Sequence, residues 1–305
     1  MFSGLSFRTV FVYDAAKRKV FSVIRIIVFA AFLMFPAAFA RADGGLQSHR
    51  ASYDISLRST AGGAAGVVTA KGKMRYQIQK VCGVWETESV FSIDVGYEQI
   101  GLDTTNWKQT TRESADGCRF DFTVHVREKG ADRKDLSGTA VCDAGKKRVR
   151  LTVPVASEAV LPKSVAFPVQ QTLRLLDAAR AGKGTVFSYV YDGTRPESLF
   201  STNTAVTAAD GFSSPAVKGD VTLIKNRKAY RFDTAFFEEF AASAAADGAP
   251  AYEVSLYSYD NGISDQIVQN FGTHRLLSVL TDLERLPDKP CAAQKTKRRK
   301  TKGRL

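Results

Sequence analysis

The chain has little of what metal-binding and catalytic proteins concentrate. Only three histidines occur in 305 residues, His49, His125 and His274. They are scattered, and none stands in a His-Glu-x-x-His run or another zinc-ligand spacing, which argues against a metal centre. No Cys-x-x-Cys pair and no Gly-x-Ser-x-Gly elbow is present, so neither a thiolate metal site nor a hydrolase-type serine is indicated. Two glycine-lysine runs fall short of a phosphate loop. The stretch from Gly66 to Lys73 has the wrong spacing and places Met74 where a magnesium-binding Ser or Thr belongs, and Gly182-Lys183-Gly184-Thr185 follows a helical pattern instead of opening one. Glu86 and Glu88 project from one strand face, as an acid/base pair would, but i and i+2 charges are also what any solvated face displays. The expectation is a protein that is not an enzyme and takes no cofactor or metal.

Acidic excess is also missing, and the net charge of +12 invites a nucleic-acid reading until its distribution is examined. Residues 1–42 carry six basic side chains and one acidic; residues 294–305 carry seven basic and none acidic. The body between them holds 30 of each sign. A neutral body offers no clustered Lys and Arg for tracking phosphates, so DNA and RNA binding are excluded as the reading.

The charge at the N-terminus belongs with a leader. Arg8, Lys17, Arg18, Lys19 and Arg25 precede the apolar run from Ile26 to Ala40, and small-x-small patterns follow at Ala38-Phe39-Ala40 and Ala40-Arg41-Ala42. This is the order of an export signal, with the mature chain starting near Arg41 or Asp43. An uncleaved anchor would need about 20 apolar residues, and this run is shorter and interrupted by Pro36. The basic stretch is long for a secretory signal, so translation beginning further in, for instance at Val20, is an alternative that leaves the product unchanged. All four cysteines, Cys82, Cys118, Cys142 and Cys291, lie beyond the leader. Delivered to an oxidising space such as the periplasm, they read as two disulfides, with three pairings open. A Cys82–Cys291 bond would stabilise by roughly 5 kcal/mol on the chain-entropy model, and Cys118–Cys142 by roughly 3 kcal/mol.

The domain boundaries read as a signal peptide at 1–42, one domain at 43–293 and a basic tail at 294–305. From His49 to about Pro154 the pattern alternates, with Tyr53, Ile55 and Leu57, and later Phe91, Ile93 and Val95, on one face. Asp116-Gly117 offers a tight turn just before Cys118. Residues 167–181 break the rhythm: Pro168 suits a first helical position, Val169, Leu173 and Leu176 recur at helical spacing, and Gly182 supplies a stop. That apolar stripe predicts a helix packed on a sheet face. Strands resume at 186–191 and 199–207, then at 252–257, where Asn261-Gly262 turns the chain into 263–271, and a last strand covers 276–286. The stretch from Glu238 to Ala251 reads as an exposed, alanine-rich linker. Trp85, Trp107 and the group Tyr252, Tyr257 and Tyr259 are candidates for lining a groove, with core and cross-strand packing as the commoner use of such residues.

Several segments taken in order carry a family likeness: HRASYDISL at His49, GKMRYQIQKVCGVWETE around Cys82, FPVQQTLRLLDAARAGKG in the helix, FSYVYDG at Asp192, YEVSLYSYDNG at Tyr252 and LPDKPC at Cys291. Together they resemble the EipB family of periplasmic cell-envelope integrity proteins, over about residues 47–291. The resemblance implies an all-β domain, an antiparallel spiral or open barrel-like sheet with one associated helix, and a disulfide from an early cysteine to one near the C-terminus. Cys82 and Cys291 hold those two positions, which leaves Cys118 with Cys142; this second pair and the tail depart from the family's minimal pattern. The implied function is non-enzymatic support of envelope integrity through an envelope protein or lipid partner. Two alternatives remain, a carrier or chaperone for a hydrophobic ligand held in the open barrel, and an enzyme with an unrecognised site. The tail residues Lys295, Lys297, Arg298, Arg299, Lys300, Lys302 and Arg304 add an expected contact with anionic membrane surfaces.

Overall fold

Residues 45–60, 66–99, 101–128, 133–195, 198–239 and 248–291 are described by the computed structural model. The expected leader, the basic tail and most of the alanine-rich linker lie outside them. All described residues belong to one compact unit, Arg41–Leu305.

The alternating sequence resolves into eight strands before the helix: β1 (His49–Thr60), β2 (Val67–Val81), β3 (Val84–Tyr97), β4 (Gly101–Ser114), β5 (Arg119–Glu128), β6 (Lys134–Asp143), β7 (Lys146–Val153) and β8 (Ser157–Pro162). The helix α1 (Pro168–Arg180) follows. Then come β9 (Thr185–Tyr191), β10 (Leu199–Ala208), the two-residue β11 (Lys218–Gly219), a single 3-10 turn (Val221–Leu223), β12 (Ala229–Glu238), β13 (Tyr252–Tyr259), β14 (Ser264–Asn270) and β15 (His274–Arg285). Three of these, β8, the two-residue β11 and β12, have no counterpart among the expected strands. In β12 the signal is plain in retrospect, since Tyr230, Phe232, Thr234 and Phe236 alternate with Arg231, Asp233 and Ala235.

All the strands form one 15-stranded sheet in the order β8-β7-β6-β5-β4-β3-β2-β1-β15-β14-β13-β12-β10-β9, with β11 beside β15. Apart from β11, the strands of this path pair antiparallel, so short turns suffice between most neighbours. The sheet is open. Its edges are β8 and β9, the strands that flank α1 in sequence, and a single parallel bridge spans the interval between them: Ala166 donates to the Tyr189 carbonyl and accepts from the Tyr191 N–H. The first and last long strands meet mid-sheet, where His49 pairs with Arg285.

The helix lies on one face of this sheet, which also carries the core. Val169 and Leu173 pack with Ile78 and Trp85, and Leu176 and Ala179 pack with Tyr230 and Phe232. A second cluster joins Phe120, Phe122 and Val124 of β5 to Val149, Leu161, Phe167 and Tyr191. Phe120 and Phe167 stack at 4.8 Å. A fully buried aromatic of this kind contributes about 3–5 kcal/mol against Ala. Gly193, at φ +66°, turns the chain against Phe122 so closely that a Cβ would sit 2.7 Å from the ring, so the turn requires glycine.

Candidate functional site

The cysteines are joined as Cys82 to Cys291 and Cys118 to Cys142, with Cα separations of 4.3 and 4.8 Å. The first bond sits where backbone already converges: Val81 bridges Lys289, and the Cys82 N–H donates to the Lys289 carbonyl at 2.8 Å. It fastens the segment after β15 to the β2–β3 turn. The second links the start of β5 to the end of β6, adjacent strands whose backbones also meet through Cys142 N–H and the Cys118 carbonyl.

The residues singled out as candidate chemistry are dispersed. Glu86 pairs with Arg112 at 2.9 Å, and Glu88 pairs with Lys108 at 2.7 Å and Arg75 at 3.4 Å. Its bond to Lys108 holds the Glu88 carboxyl below the usual range. Both are partnered carboxylates on the solvent side. His125 is bound by Asp135 at 2.7 Å, and His274 stacks on Phe271. Among the described residues no three His, Cys, Asp or Glu side chains group as metal ligands, and no helix is long and apolar enough to cross a membrane. The aromatic candidates are used for packing: Trp85 is buried under α1, Trp107 stacks on Phe91 at 5.2 Å, Tyr252 on Phe236 at 4.5 Å and Tyr257 on Phe212 at 4.1 Å, while the Tyr259 hydroxyl binds Ser214.

What the sequence reading passed over is a groove of about 750 Å³ on the sheet face turned away from α1, crossing β9, β10, β12–β15 and β1. Arg58 and Arg275 stand on the neighbouring strands β1 and β15 and make no ion pair among the described residues. Arg231 is engaged by Asp233 through three contacts of 2.8, 2.9 and 3.1 Å, and Glu253 accepts from Asn270 at 2.7 Å. At the far wall Phe187 is 59% exposed, next to the open edge of β9. The concavity thus presents two guanidinium groups without an ion pair among the described residues, the carboxylates Asp233 and Glu253 already engaged, amide side chains and one exposed ring.

A family profile described as EipB-like matches residues 40–287. The chain belongs to the EipB-like family. The cell envelope integrity protein EipB of Brucella abortus (strain 2308) is 26% identical over 256 residues, which span 81% of this chain and 87% of that protein. A crystal structure from Brucella abortus, described as a beta-barrel-like protein of a domain of unknown function, superposes with a TM-score of 0.68 at 24% identity, covering 79% of this chain and 99% of that one. The open, all-β architecture is therefore that of a beta-barrel-like fold.

In this EipB-like chain a buried polar knot fixes where the helix begins. Glu113 of β4 is only 2% exposed, and its two carboxylate oxygens accept the N–H groups of Val169 and Gln170, each at 2.8 Å. Phe167 at the N-cap position has no capping side chain, so a carboxylate from another strand satisfies two of the helix's free donors and meets the positive end of its dipole. Burial nevertheless pushes the Glu113 carboxyl up to about 7, against those hydrogen bonds and the nearby Lys147 and Arg174. Lys147 donates to the Val165 carbonyl at 2.7 Å and lies 4.0 Å from the centre of the Phe167 ring; burial lowers its ammonium to about 8. One sequence sign pointed here: Glu113 shares strand parity with Trp107, Gln109 and Thr111, which places a charge on the inward face.

Proposed function

We propose that this chain is an exported, non-catalytic protein of the bacterial cell envelope that supports envelope integrity from the periplasm by holding an envelope component on its braced sheet. The observation that carries this reading is the groove in which Arg58 and Arg275 make no ion pair among the described residues, set in a sheet braced by the Cys82–Cys291 bond. The family's name speaks for the envelope role. The leader, the two disulfides and the oxidising space they require speak for the periplasm. The partner fitted by the groove is an envelope protein or lipid presenting acidic groups, and the basic tail adds a second, less specific contact to an anionic membrane surface.

The carrier reading has one observation in its favour, an open hollow of about 540 Å³ beside the Phe91–Trp107 stack. Against it stand α1 and the five core clusters, which occupy the face where an acyl chain would have to lie.

The test is a deletion strain scored for detergent and antibiotic sensitivity. Deletion should breach the barrier, the wild-type gene should restore it, and an Arg58→Glu/Arg275→Glu variant exported at wild-type level should fail to. An intact barrier after deletion overturns the envelope role, whereas full rescue by the double variant overturns only the groove.

A further inference from the structure

A second concavity is unrelated to the groove and lies on the opposite face, under α1. It encloses about 210 Å³ between β1, β2, the start of the helix and the β13–β14 turn. Met74, Ile78, Val169 and Ile267 give it a mainly apolar wall, to which Thr172, Asn261 and Ser264 add polar atoms. His49, 1% exposed, is part of the lining. The His49 Nδ1 lies 2.7 Å from the Gln47 carbonyl, which can only accept, so the ring proton sits on Nδ1. The Nε2 lone pair is then the polar atom that His49 brings to the cavity, and it is buried with no hydrogen-bond partner among the described residues. Unpaired buried acceptors are rare and costly, which marks this atom as waiting for a donor. The Tyr76 ring, also in the lining, stands 6.0 Å from the imidazole centroid to centroid, and its hydroxyl has no hydrogen bond among the described residues. By contrast, the neighbouring Tyr53 hydroxyl is committed to the Ser264 carbonyl at 2.8 Å.

We propose that this cavity is a binding site for a small uncharged hydroxyl compound with an apolar body, of the phenol or medium-chain alcohol class. The ligand's O–H donates to His49 Nε2, with the Tyr76 ring beside the imidazole. The rest of the molecule meets a mainly apolar lining. Size sets the scale, since a cavity of roughly 150 Å³ takes benzene; the larger volume here suits about eight non-hydrogen atoms. A charged ligand is disfavoured, because no counter-ion lines the space and desolvation would go uncompensated. The site does not rest on the envelope reading.

Titration of the mature protein, residues 43–305, with 4-methylphenol and with toluene compares two ligands of equal shape that differ in the hydroxyl. Binding of 4-methylphenol should be at least tenfold tighter, with a shift of the His49 Nε2 nitrogen resonance that toluene does not produce. A His49→Phe variant should lose that preference, and Ile267→Phe, which fills the cavity without touching the imidazole, should abolish binding while the thermal melt stays cooperative. Equal affinity for the two ligands, no binding of 4-methylphenol up to its solubility limit, undiminished binding by Ile267→Phe, or a crystal in which ordered water stays on Nε2 in the presence of the ligand would each overturn the proposal.

Discussion

Glu113 caps a helix that starts far downstream of it: its carboxylate Oε2 accepts the Val169 N–H at 2.8 Å, linking the middle of the sheet to the first turn of α1. Because the proton on this carboxyl is held more tightly in the folded chain than in the unfolded one, the direction of the pH effect is fixed. The folded value is raised to about 7 from 4.5. The contribution is complete below pH 4.5 and is lost as pH rises through about 7, by roughly 3 kcal/mol. Denaturant titrations of wild type and Glu113→Gln across pH 4.5 to 7 should differ in slope, the wild type losing stability with rising pH relative to the variant. Parallel curves would show that Glu113 does not titrate in this window. At pH 5 the variant should also be weaker by about 1–3 kcal/mol, since its amide nitrogen would face a backbone donor. Lys147 acts in the opposite sense: with its value lowered to about 8, its contribution rises with pH between about 8 and 10.5.

The disulfides should differ in weight. Cys82–Cys291 closes a loop of 209 residues and Cys118–Cys142 one of 24. On the chain-entropy model the first stabilises by about 5 kcal/mol and the second by about 3 kcal/mol. Cys82→Ser/Cys291→Ser should therefore melt well below Cys118→Ser/Cys142→Ser, and it should resemble partial loss of the protein in cells. Unchanged melting after removal of the long bond would refute its bracing role.

Asp265 is fully buried, and its Oδ1 accepts the N–H groups of Gln266 at 2.6 Å and Leu280 at 2.7 Å, joining β14 to β15 just beyond the last register pair, Ile267 with Ser278. Replacement by Ala strands two buried donors and should cost about 2–4 kcal/mol. Equilibrium unfolding measures this directly, and a loss of under about 1 kcal/mol would mean that water takes the carboxylate's place.

Removing residues 294–305 should leave the thermal melt unchanged and reduce salt-sensitive adhesion to vesicles containing phosphatidylglycerol. Co-sedimentation at low and high salt is the readout; equal binding by full-length and truncated protein would dispose of the tail's membrane role.

Much of the fold is legible in the sequence because one face of each strand is buried and the other wet, so that Tyr53, Ile55, Phe91 and Ile93 announce their strands by parity alone. Pro168 and Gly182 delimit α1 equally well, the helix ending two residues short of the glycine. The strand β8 hides because it is an edge with only Leu161 buried, and without a buried face there is no alternation to see. The groove is hidden for another reason. Arg58, Phe187 and Arg275 are far apart in sequence, and only the order of strands around the sheet, which local pattern does not encode, brings them to one concavity. The Glu113 cap and the His49 cavity depend likewise on where α1 lands.

The pairing of β1 with β15 also governs the order of events on the proposed export route. A chain threaded through a membrane from its N-terminus delivers β1 first, yet the partner for one side of that strand is nearly the last segment to emerge. Until then β1 presents an unsatisfied edge, and Cys82 has no Cys291 thiol beside it with which an oxidant of the compartment could join it. On the proposed export route, maturation waits for completion of translocation, and chains truncated before β15 should be recognised by periplasmic quality control as unfinished goods.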